Sequence, residues 1–331
     1  MMGTIRTWPV VAGLLVAEMA LAPPAGVRAD TLMEWTIPTP RSQPHDIISD
    51  EEGIIWFTEM AADQIGRFDP TTEEFLEFPI PTPGAGPHGI CNAPDNGIWF
   101  TEQSGNKIGR IDRSTFAIDE VPLPTPGSGA HTPIYDGFGR IWFTQQIGNR
   151  IGRLSLEDWS IEEWTLPIPN SQPYGIVADG DGNGWFCELG GVSNRLGRID
   201  AATGDITEYY TPTPNSGPRR LWFDSQGVLW ITENRAAKLA RFDPSTEEFQ
   251  EWDAPHPGGQ PYAITVDQND KVWFSEFTAN YLVQFDPTTE KFTSYEQLTP
   301  QELTRFIFVD PANRVWYENN GNSAIGVVIQ D

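Results

Sequence analysis

Cysteine is almost absent: the 331 residues contain two, Cys91 and Cys187. They occupy different positions in non-neighbouring copies of a repeat, which argues against a disulfide. Two thiols are also too few for a cysteine-built zinc site. Histidine is nearly as scarce, with four. Positive charge is short as well, since 21 Lys and Arg stand against 46 Asp and Glu, a formal net charge of −25. Such a surface repels phosphate backbones, so nucleic acid is excluded as a partner class; solubility and the approach of cations are favoured. Long apolar runs are missing too. The one candidate, Pro9 to Ala22, is too short for a membrane span. Arg6 precedes it, and Val27-Arg28-Ala29 fits a small-residue cleavage site before Asp30, so residues 1–29 read as a signal peptide. The expectation is an exported chain, periplasmic or extracellular, with residues 30–331 as one domain.

What the sequence does have is a repeat. PHDIISDEEGIIWFTE (44–59) and PHGICNAPDNGIWFTE (87–102) begin a series that ends with TRFIFVDPANRVWYEN (304–319), seven copies in all, spaced by about 43 residues. A repeat of that length with β-rich segments in its first half marks β-propeller blades. Each copy parses into four short strands separated by Asp, Asn, Gly and Pro turns. A third-strand phrase recurs as IGRFD (65–69), IGRID (108–112) and LGRID (196–200). The seventh copy lacks a fourth strand, whereas LMEWTIPTP (32–40) resembles one. The fold expected is therefore all-β, a seven-bladed propeller of four-stranded blades closed by the N-terminal strand pairing into the last blade. A ring closed in this way needs no partner, so a monomer is expected. The tryptophan of each second strand (Trp56, Trp99, Trp142, Trp185, Trp230, Trp273, Trp316) reads as inter-blade packing.

One slot in the repeat varies: His45, His88, His131, Tyr174, Arg219, Tyr262, Arg305. Fourteen residues later stands a second set, Glu59, Glu102, Gln145, Glu188, Glu233, Glu276, Asn319. If each hairpin turns midway between them, both sets meet at its open end and surround one mouth of the central channel. Convergent polar residues make that mouth the default site. The glutamates have an equally good scaffolding role, as hydrogen-bond acceptors or partners of Arg219 and Arg305. Three of the four histidines in register are harder to assign to packing. His256, in a loop outside the register, has no assigned role.

The phrases PHGI, WFTE, GNKIGRI and PIPTP resemble the virginiamycin B (streptogramin B) lyases, over residues 32–331. The resemblance implies a magnesium-dependent carbon–oxygen lyase that linearises a cyclic depsipeptide antibiotic by elimination, hence antibiotic resistance. It implies His88 as the base and His45 as a substrate-binding residue. With the other slot residues, His131, Tyr174, Arg219, Tyr262 and Arg305, they would bind the small-molecule substrate. Glu102, fourteen residues after His88, matches one metal ligand, and Glu59 is available to help hold Mg2+. The other family ligand position is Gly86, and the match is rotated, because the family's pair lies in the last two blades. Two further readings stay open. One is a non-catalytic exported propeller that binds a ligand or metal, the arginines and tyrosines suiting an anionic or aromatic molecule. The other places zinc or copper between His45, His88 and His131.

Overall fold

In the computed structural model, which describes residues 6–7, 30–190, 194–300 and 303–330, the regular elements are all strands. Seven antiparallel sheets form. In blade one the strands are Pro44–Ser49, Ile55–Glu59, Gln64–Asp69 and Glu74–Pro79. Blade two runs Pro87–Asn92, Gly97–Glu102, Lys107–Asp112 and Ile118–Pro122. Blades three to six repeat the pattern, with first strands Ala130–Tyr135, Pro173–Ala178, Pro218–Phe223 and Pro261–Val266. Blade seven is completed as expected: Thr31–Thr36 lies antiparallel to Ala324–Ile329, with Thr31 opposite Ile329 and Thr36 opposite Ala324. The first strands pack against one another in order, and Ile307–Val309 of blade seven meets Pro44–Ser49 of blade one. The ring is closed. Arg6–Thr7 add a two-residue strand against Glu77 and Leu76 at the outer edge of blade one. The rest of the expected leader lies outside the described residues. Among the described residues no helix is long and apolar enough to cross a membrane.

Local chemistry explains why each copy folds alike. The indole N–H of Trp56 donates to Asp50 at 2.9 Å, and Asp50 also accepts the Glu52 and Ile54 amides of its turn. Trp185, Trp230, Trp273 and Trp316 do the same with Asp179, Asp224, Asp267 and Asp310. All seven repeated tryptophans are buried, so the packing role holds. The glycine of the third-strand phrase has a steric reason. Gly109 pairs with Phe100 of the second strand, and a Cβ there would overlap the Phe100 ring. Cys91 and Cys187 are both buried and unpaired.

Candidate functional site at the axial mouth

The threonine of the second strand sets the height of the variable slot. Thr58 Oγ1 donates to the His88 carbonyl at 2.8 Å, Thr101 to that of His131 at 2.7 Å, and Thr232 to that of Tyr262 at 2.8 Å. Each latch runs from one blade to the next blade's first strand. The same threonine accepts an amide from its own blade, as Thr101 does from Gly89 at 2.9 Å. These amides belong to a bulge. In blade one Pro44 pairs with Glu59 and Ile47 with Phe57, which leaves His45 and Asp46 together opposite Thr58. Blades two to six shift register at the same place. A bulge kinks the strand and re-aims its side chains. Here it turns both the slot residue and its successor toward the axis.

The slot residues converge. His45 and His88 pack ring against ring at a tilt, with centroids 3.6 Å apart, as do His88 and His131 at 3.7 Å and His131 and Tyr174 at 3.9 Å. The Tyr174 and Tyr262 hydroxyls hydrogen-bond to each other. Arg219 lies over the Tyr262 ring at 3.7 Å and donates to the Tyr174 hydroxyl at 3.1 Å and to Asn234 at 3.2 Å. Arg305 sits 5.5 Å from the Phe277 ring, which itself stacks on Tyr262. All seven slot positions singled out in the sequence thus surround one mouth.

The successor residues were missed in the sequence reading, although Asp46 and Arg220 are the only charged ones among them. They cross the ring to form a buried ion pair, Arg220 Nη2 to Asp46 Oδ1 at 2.7 Å. Asp46 Oδ1 also lies 2.9 Å from His45 Nδ1. Beyond this pair, toward the other end of the axis, the lining becomes apolar, with Ile48, Ile90, Leu221, Trp222 and Phe308. The channel therefore has a polar mouth and an apolar end, with a salt bridge between.

Burial holds His45, His88 and His131 well below the ordinary imidazole range. The guanidiniums push the same way, Arg305 foremost on His45 and Arg220 on His88 and His131, and the imidazoles also depress one another. All three are neutral near pH 7. His45 Nε2 and His88 Nδ1 are buried with no hydrogen-bond partner.

The expected glutamate ring is corrected. Glu59 and Glu102 do not join the imidazoles. Their partner across the hairpin is the proline before the slot, so they take the blade's face rather than its bulged inner edge. Glu59 faces Glu77 of its own fourth strand, and Glu102 faces Glu120. Those outer glutamates clamp the preceding proline-rich link: Glu77 accepts the Thr39 amide at 2.9 Å, and Glu120 the Thr82 amide at 3.1 Å. Burial, then the neighbouring carboxylate, pushes Glu102 up to about 8. Glu233 is raised to about 8 and Glu188 to about 7, in each case by burial first. This ring is scaffolding. His256 belongs to it, bonded to Glu276 and stacked on Tyr281 at 3.9 Å.

Magnesium does not fit this donor set. Gly86 offers no side chain, Glu59 and Glu102 point into separate carboxylate pairs, and three arginines share the mouth. Nor do the three histidines form one ligand group among the described residues, because His131 stands outside the set whose donor atoms come together. The grouping that does form is His45, Asp46 and His88, whose ligand atoms lie within 4.8 Å of one another. Its carboxylate already holds Arg220.

A family model described as the virginiamycin B lyase family matches residues 27–227 and 193–331. A streptogramin B lyase structure is 33% identical, with a TM-score of 0.85, 91% of this chain and 98% of that chain being covered. Virginiamycin B lyase from Staphylococcus aureus is 31% identical, TM-score 0.85, covering 92% of this chain and 100% of that one. A catalytically inactive histidine-to-alanine variant of the same enzyme, solved with quinupristin, is 30% identical at the same TM-score, with 92% and 100% covered. The extracellular domain of a one-component system protein from B. thetaiotaomicron, 16% identical with a TM-score of 0.73, shares the fold. No curated protein sequence matches.

Proposed function

The chain belongs to the virginiamycin B lyase family, and from that premise we propose that it is a carbon–oxygen lyase opening an ester by elimination, with His88 as the base. The observation that carries the reading is the middle place of His88 in the imidazole column. It is neutral, its Nδ1 has no partner, and at 4% exposure against 1% for His45 and His131 it is the least buried of the three. A neutral imidazole accepts a proton. In the elimination the base takes the proton from the carbon beside a carbonyl. The electron pair left behind becomes a carbon–carbon double bond, the bond from the next carbon to the ester oxygen breaks, and that oxygen departs as a carboxylate. His88 then carries the proton, and the Asp46 carboxylate nearby favours its charged form. His45 and His131 hold the substrate from either side. No step is routed through magnesium.

The substrate class proposed from the relatives is a cyclic depsipeptide of the streptogramin B kind. The test is incubation of the purified protein with quinupristin, with and without magnesium. Elimination yields a linear product of unchanged mass, whereas hydrolysis would add water. His88→Ala should abolish product, while His131→Ala should raise KM with little change in kcat. Intact antibiotic in every metal condition would overturn the reading.

A second reading, a non-catalytic exported ligand-binding propeller, is favoured by one observation: Gly86, where the resemblance implies a metal-ligating carboxylate, offers no side chain. Metal analysis bears on both. Under the elimination proposed, the protein binds no stoichiometric magnesium, zinc or copper. Bound zinc or copper lost on His45→Ala would point instead to a metal-binding propeller.

A further inference from the structure

The charge of the mouth is opposite to that of the molecule. The chain carries −25 overall, yet Arg219, Arg220 and Arg305 all converge on its axis, each acting on both His45 and Tyr262. Two carboxyl groups face them. Asp46 is bonded to Arg220 at 2.7 Å. Glu318 accepts the backbone amides of Arg305 and Phe306, and complete burial raises it well above the usual carboxylate range. The three histidines contribute no charge near neutrality. Asp46 thus offsets Arg220, and among the described residues Arg219 and Arg305 form no ion pair.

The two remaining guanidiniums are also under-bonded. The Nε atoms of Arg219 and Arg305 are buried and have no hydrogen-bond partner. Both residues keep partial exposure, whereas the three histidines are buried. Beside them stands an apolar wall: Phe277 packs on Tyr262 at 5.0 Å, with Leu189 and Tyr174 in the same cluster. A cation presenting unfilled N–H donors next to aromatic rings recognises an oxyanion attached to an apolar body. A divalent metal would be repelled from the same place.

We propose that Arg219 and Arg305 form a binding site for a small organic carboxylate with an aromatic or apolar body. The site goes beyond the elimination chemistry and does not require turnover. In that chemistry it would receive the carboxylate oxygen as the ester breaks.

The experiment is calorimetric titration of the purified protein, without ester substrate, using phenylacetate, the uncharged phenylacetamide and inorganic sulfate. Phenylacetate should bind with an affinity unchanged by EDTA, and the amide and sulfate should bind at least about tenfold more weakly. Arg219→Gln and Arg305→Gln should each weaken phenylacetate binding by about tenfold or more. Lys238→Gln, the same charge change on the third strand of blade five, where the lysine is bonded to Asp253, should leave it unaltered. If a glutamine variant fails to fold, Arg305→Lys keeps the charge without the fork and should bind phenylacetate with intermediate affinity. Equal binding of acid and amide, equal binding of sulfate, or indifference to all arginine variants would overturn the site. Because nothing is turned over, an inactive lyase with intact phenylacetate binding sinks only the elimination, and an active lyase with no binding sinks only this site.

Discussion

Asp46 and Arg220 make a contact that no other pair among the described residues makes: a full charge pair across the axis, at 0% and 2% exposure. Removing one partner leaves the other charge buried and unmatched, which costs about 3–5 kcal/mol. Asp46→Asn is therefore expected to lower the free energy of urea unfolding by that amount. Arg220→Met combined with Asp46→Leu should recover most of the loss, since an apolar pair needs no desolvation. A single variant as stable as the parent would show that water reaches the pair. This contact also marks the limit of what the chain's letters disclose. The variable slot was legible because it recurs in register: six of its residues touch in sequence, and Arg305 joins them through Phe277. The next position was not, because it reads Asp46, Gly89, Thr132, Gly175, Arg220, Ala263, Phe306 and carries no pattern. Only the bulge makes it face the axis. The same bulge shifts Glu59 and Glu102 out of the mouth, so a hairpin counted as regular places them wrongly.

Among the elements, the second strand carries most of the specification, through alternate positions facing alternate neighbours. In Gly97–Glu102 the indole of Trp99 bonds the turn at Asp95, Phe100 covers Gly109, and Thr101 latches the next blade. Blade count, strand order and ring closure could be read directly from this repetition. The latch could not, because a threonine in a strand is ordinary until its partner carbonyl is seen. Thr101→Val keeps the shape but removes the donor to His131 and orphans the buried Gly89 amide. Its expected cost is about 1–3 kcal/mol, measured by denaturant midpoint. Since the latch fixes the height of His131, the loss should be larger than for Thr115→Val on an exposed outer turn. Gly109→Val meets the other face of the same strand. Overpacking against Phe100 should cost about 1–3 kcal/mol, and Phe100→Leu in the same chain should return part of it. If the two substitutions are additive, the ring and the glycine are not in contact.

Across the whole molecule, two sets of buried titrating groups oppose each other. The scaffolding carboxyls have folded-state values above the unfolded one: about 8 for Glu102 and Glu233, about 7 for Glu188. A raised carboxyl binds its proton more tightly in the folded state. It contributes stability that is complete below the unfolded value and is lost as pH rises through the folded value. The imidazoles run the other way. Their folded values lie well below 6.5, so their contribution is present above that pH and is lost as pH falls beneath it. The excess of acidic over basic residues adds general repulsion that grows with pH. Thermal midpoints should therefore be highest near pH ~6 and fall on either side, most steeply between pH ~6.5 and ~8, where the histidines no longer compensate and the folded glutamates still hold protons that the unfolded chain has lost. Glu102→Gln and Glu233→Gln remove two of those protons without removing the shape. The double variant should melt above the parent at pH ~8.5, match it at pH ~5, and keep the acid-side fall that belongs to the histidines. A parent curve that climbs through pH ~8, or a double variant with the parent's alkaline slope, would mean that Glu59, Glu102 and their counterparts ionise freely inside the folded ring.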